Sequence, residues 1–170
     1  MKTTKITKLA GIATASVAAA IALPVAAHAD DMSECSSGQV QVSNGGEQSA
    51  SGHREVLLIF SLAPGAAPCT LTGYPGVDSG AGGPLIHADR TLSGAMGGAR
   101  TGTFPITVWP WQPAYAVVEG LAVDPSDYEG RCPTYTDLQV TAPDSYETVT
   151  IPVGHLDTCE LQVNPVGSGP

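Results

Sequence analysis

The chain has 170 residues, 42% hydrophobic but only 5% aromatic, and its seven basic residues face 16 acidic ones for a net charge of −9. That balance sets like charge against phosphate, which excludes nucleic acid and anionic lipid head groups as natural partners. The length allows one ordinary domain behind a short leader.

The leader is legible. Lys2, Lys5 and Lys8 form a positive start, an apolar run follows from Leu9 to about Val25, and Ala27-His28-Ala29 places small residues at −3 and −1 of a cleavage point. An uncleaved anchor is the competing reading. The Ala, Thr and Gly content of the run and the small residues at its end favour an export signal cut after Ala29, with no stable membrane insertion afterwards. Cleavage leaves 141 residues from Asp30 and removes every lysine, so four arginines face 16 acids and the net charge becomes −12. A secreted, extracellular chain of that size buries roughly two-thirds of its unfolded surface.

Cys35, Cys69, Cys132 and Cys159 remain. An even count in an exported chain argues for two disulfides with three possible connectivities, of which local closure, Cys35–Cys69 with Cys132–Cys159, is the simplest. No two cysteines show the close C-x-x-C spacing of a four-thiolate metal site.

The rest reads as all-β, a single domain over 30–170 with its core at about 35–166. Val40 and Val42 alternate with glutamines. Val56 to Leu62 is a continuous apolar run that predicts a central strand buried on both faces. The stretch from Asp78 to Thr103 is Gly-rich with little periodicity and reads as a long, exposed, mobile crossover. Phe104, Ile106 and Val108 alternate around Pro105, which marks a strand start or an edge. Tyr115, Val117, Glu119, Leu121 and Val123 share one face, with Val118 and small alanines on the other. Further alternation follows at Leu138 and Val140, at Val149, Ile151 and Val153, and at Cys159, Leu161 and Val163. Pro, Gly, Asp and Ser cluster at 63–68, 75–84, 124–134 and 142–147 as turns. About seven to nine strands without helical periodicity predict a disulfide-bonded, immunoglobulin-like β-sandwich.

Signals of chemistry are weak. Ser79 and Ser93 sit beside glycines outside any G-x-S-x-G elbow. His87 and Asp89, at i and i+2, would share one side of a strand and are the best metal-binding pair, but a site needs a third ligand. Asp124 to Gly130 is acidic without the alternating oxygen ligands of a calcium loop. No cofactor is expected. The most suggestive segment is Val108-Trp109-Pro110-Trp111-Gln112-Pro113-Ala114-Tyr115. In an extended chain Trp109 and Trp111 share a face, and the prolines stiffen an edge or loop that offers them, with Tyr115, to a protein or a sugar ring. The bland alternative packs the rings over a disulfide or caps the end of the fold.

At Cys69-Thr-Leu-Thr-Gly-Tyr-Pro-Gly76 the chain resembles an actinobacterial family of exported domains of unknown function, whose pattern is an apolar strand, a short turn, then C-T-L-x-G-Y-P. The resemblance runs from Cys35 to about Val166 and includes the Pro113-Ala-Tyr-Ala-Val step and two later cysteines. Leu62-Ala63-Pro64-Gly65 stands where that family has an Asn-containing turn. The resemblance implies a secreted, disulfide-bonded β-sandwich and brings no catalytic residues. The expected function is a non-catalytic extracellular or envelope-associated domain binding a protein or glycan. The alternative is an extracellular hydrolase or metal-dependent enzyme using His87 and Asp89. Oligomeric state stays open.

Overall fold

A computed structural model describes residues 32–94, 103–124 and 130–169. The export signal at 1–29 and most of the acidic 124–130 stretch lie outside the described residues. The described residues form ten strands: β1 (Val40–Ala50), β2 (His53–Leu62), β3 (Cys69–Leu71), β4 (Gly76–Ser79), β5 (Asp89–Arg90), β6 (Ile106–Val108), β7 (Ala114–Leu121), β8 (Thr134–Thr141), β9 (Thr148–Asp157) and β10 (Glu160–Val163). Among the described residues the architecture is all-β.

The strands make three sheets. Five pair in the order β1-β2-β7-β10-β5, three in the order β4-β8-β9, and β3 pairs with β6. Among these described strands β5 alone runs parallel to its neighbour. The apolar alternation dictates which faces meet. Val56, Leu58 and Phe60 of β2, Ala114, Ala116 and Val118 of β7, Leu138 and Val140 of β8, and Ile151 and Val153 of β9 all join one buried cluster. The small Ala114 on β7 faces the fully buried Phe60 of β2, so the bulky ring fills the interior there. Ser51 (φ 50°) and Gly52 (φ 86°) form the two-residue turn between β1 and β2, the left-handed pair that suits strand twist.

Both disulfides close locally. Cys35 joins Cys69 across a separation of 34 residues, and Cys132 joins Cys159 across 27. The first encloses the β1-β2 hairpin and is buried; the second encloses β8 and β9, with both its cysteines half-buried.

Three expectations change. The β2 run is central, but only its Val56, Leu58 and Phe60 face is fully buried; Leu57 and Ile59 are half-buried. The 78–103 stretch is not a featureless crossover where it is described. Ser79 N–H donates to Ile86 O and Ala88 N–H to Val77 O, 2.9 Å each, so 77–88 folds back on itself. Gly80 N–H donates to Asp137 O (2.9 Å), Thr136 N–H to Ala81 O (3.0 Å), and the buried Tyr135 hydroxyl to Pro84 O (2.6 Å). The glycines at 80, 82 and 83 let this backbone lie directly on β8, and Asp89–Arg90 then adds a short strand to β10. The 75–84 turn accordingly contains β4 rather than turn alone. Residues 95–102 lie outside the described residues.

Candidate functional site

One end of the domain gathers several connections. Ala63 N–H donates to Gln39 O (2.9 Å), Gln39 Nε2 to Ala67 O (2.9 Å), and the Ser37 and Ser145 hydroxyls lie 3.3 Å apart. Phe60 pairs with Ala114 at the same end, which brings in the connection from β6 to β7.

That connection is a tight reversal. Trp109 N–H donates to Gln112 O (2.9 Å) and Gln112 N–H to Trp109 O (3.1 Å), leaving Pro110 and Trp111 at the tip. Proline fits there because its fixed φ suits a turn and its missing N–H is not needed. The tryptophans therefore do not share a strand face. They stack across the turn, with ring centroids 5.6 Å apart and planes inclined by 15°. Trp109 is half-buried, one step beyond Val108, the residue paired with Cys69 of the buried disulfide. Trp111 is 77% exposed. Its inner face rests on Trp109 and its outer face meets solvent, a flat apolar platform fixed by stacking. Tyr146, fully exposed, lies in the β8-β9 connection that Ser37 holds at this end. Tyr115 stands apart in role. It is half-buried within β7, paired with Ile59 on one side and exchanging backbone hydrogen bonds with Gly167 on the other (2.9 and 2.8 Å).

His87 and Asp89 are not brought together as a site. His87 Nδ1 lies 2.6 Å from Asp78 Oδ1, across the 77–88 fold-back, while Asp89 pairs with Gln162 in the sheet. Among the described residues there is no group of three or more His, Cys, Asp or Glu side chains arranged to hold a metal ion. Ser79 is buried and its hydroxyl accepts from Ile86 N–H (2.8 Å) and donates to Pro84 O (3.2 Å), a structural task.

A polar cluster on the other face of the five-stranded sheet escapes a reading by composition. Glu55 and Glu119 stand directly opposite each other on β2 and β7, and both are largely buried. His53 Nδ1 lies 2.9 Å from Glu119 Oε1. Burial pushes the Glu55 carboxyl above its usual range, and the facing Glu119 adds to the shift. The available signal was Glu119 within the β7 alternation and Glu55 immediately before the Val56–Leu62 run. The pairing register that makes them neighbours was not visible. Because the folded protein holds the Glu55 proton more tightly than the unfolded chain, this group's contribution to stability is present in acid and is lost as pH rises through its raised folded pKa. Glu55→Gln should therefore raise stability at pH 7 by about 0.2–1 kcal/mol, the size of a cross-strand charge term. The gap to the wild type should close as pH falls towards 4.5. Thermal midpoints of both proteins across that range check this, and a pH-independent gap contradicts it.

Residues 35–167 match a family described as a domain of unknown function, DUF4232. The chain belongs to the DUF4232 family. The match takes in all ten strands and both disulfides of the DUF4232 domain, from the first cysteine to the Gly167 that pairs with Tyr115. No curated protein and no solved structure matches the chain. Two disulfides fit an oxidising compartment, and among the described residues no helix is long and apolar enough to cross a membrane.

Proposed function

We propose that this DUF4232 domain is an exported, non-catalytic binding module, secreted or held at the cell envelope after cleavage at Ala29, that takes a protein or glycan on the Trp109–Trp111 platform. The reading is carried by one observation: in a chain with two tryptophans, Trp111 is 77% exposed yet held by stacking on Trp109. A large exposed apolar ring that is already ordered loses little conformational freedom on binding, which is why such residues serve as anchors. The connections gathered at one end are those an immunoglobulin-like sandwich would use for recognition, and the paired sheets are compatible with that arrangement.

Trp111→Ala tests the platform without touching the core. Capture on isolated cell envelope and on purified envelope polysaccharide should fall at least tenfold, with stability changed by no more than about 0.5 kcal/mol. The arm that responds separates a glycan from a protein ligand. Unchanged capture on both surfaces would overturn the reading.

A further inference from the structure

The open edge of β1 supports a second contact, distinct from the tryptophan platform. Ala63 N–H donates to Gln39 O, and Gln41 and Ser43 pair with Ser61 and Ile59 of β2. Peptide groups alternate in direction along an antiparallel strand, so Gln41 and Ser43 turn theirs to β2 while Val40 and Val42 turn theirs outward. β1 ends its sheet, and among the described residues no strand pairs with it on that side.

The neighbouring edge is β9, and among the described residues hydrogen bonds join the two above and below this window. Above it, the β1 irregularity between Asn44 and Gly46 frees side chains to act as substitutes for a strand: Asn44 Nδ2 donates to Pro152 O (3.0 Å) and Gly154 N–H donates to Glu47 Oε1 (2.7 Å). Below it, the Ser37 hydroxyl reaches Ser145 and accepts from Tyr146 N–H. Between them lies a groove of about 470 Å³, with Val40 and Val42 on one wall and Ala142, Glu147 and Val149 on the other.

Two other sheet edges carry devices that discourage pairing. β5 has two residues, and β9 contains Pro152. Val40–Ser43 has no proline, lysine or other charge. Glu147 is the one charged residue lining the groove, and the chain is strongly acidic, so a second copy would be repelled and a basic strand attracted.

We propose that the Val40–Ser43 edge receives an extended segment of a basic partner protein by strand addition. The incoming strand's backbone pairs with Val40 and Val42, a small or β-branched side chain fills the space between Val42 and Val149, and a Lys or Arg faces Glu147.

A random hexapeptide display library selected against the intact secreted protein tests this. Enriched peptides should alternate apolar and polar residues and carry Lys or Arg. A synthetic copy of the leading peptide should slow hydrogen exchange at the Val40 and Val42 amides. Val42→Pro removes one outward donor at an edge position that tolerates proline and should weaken that peptide at least tenfold. Glu147→Lys, a surface change that keeps the fold, should weaken it similarly and shift selection to acidic peptides. Trp111→Ala should leave it unchanged, which separates this site from the platform. Failure to enrich such peptides, or equal binding by the Glu147→Lys variant without added amide protection, overturns the proposal.

Discussion

Replacing Cys35 and Cys69 together by alanine is expected to lower the unfolding free energy by about 4 kcal/mol, the chain-entropy value for a loop of this length. The separation of 34 residues sets that scale, and the loop enclosed is the whole β1-β2 hairpin. The cost should not be softened by solvent, because Cys35 and Cys69 are 4% and 0% exposed and belong to the core. Cys69 also lies between two partners: it pairs with Val108 of β6, while Thr70 beside it exchanges backbone hydrogen bonds with Ser33 and Cys35. Losing the bond frees the N-terminal segment and the short β3-β6 sheet together. Denaturant unfolding of the double variant checks the value, and a loss below about 1 kcal/mol would show that the unfolded loop is already constrained.

The second large effect is expected at Gly82. Its φ is +133°, and a Cβ there would overlap the Thr134 carbonyl oxygen and come within 2.9 Å of the Tyr135 Cα. Both obstacles are backbone of β8, so neither can swing aside. Gly82→Ala should cost about 3 kcal/mol or more, combining strain at a conformation reserved for glycine with overpacking against a fixed strand. Gly46 supplies the control: its φ is +137°, but nothing lies within 4 Å of a Cβ placed there. Gly46→Ala should cost only the strain part, about 1–2 kcal/mol. Equal losses at the two sites in thermal or denaturant unfolding would contradict the close crossing of the 80–84 segment over β8.

That segment also shows where reading the sequence stops. Alternation of apolar residues located β1, β7, β8, β9 and β10, because period-two burial is written in the side chains themselves, and an unbroken apolar run located β2. A Gly-rich stretch carries no such code. The glycines at 80–83 look like a loop by composition, yet their purpose is close approach of two backbones, which depends on what lies beneath them. Trp109 and Trp111 illustrate the same gap. Their spacing suggests one shared face only if the chain is extended, and the Pro110 reversal stacks them instead. Glu55 and Glu119 were each visible, but their opposition belongs to the β2-β7 register, a long-range property. Local pattern is legible; pairing between distant segments is not.

The position of the two disulfides also decides how the domain responds to a pull on its two ends. Under tension along the chain, force crosses each bond and bypasses the loop it encloses. The β1-β2 and β8-β9 hairpins can therefore lose their packing but cannot lengthen the molecule. Only the run between Cys69 and Cys132, about 60 residues or roughly 200 Å when extended, can pay out between the two bonds. That run contains β7, the centre of the five-stranded sheet, and the Trp109–Trp111 turn. Stretching would dismantle the aromatic platform while leaving both hairpins covalently closed, so a load strong enough to unfold the domain would also release whatever the platform holds.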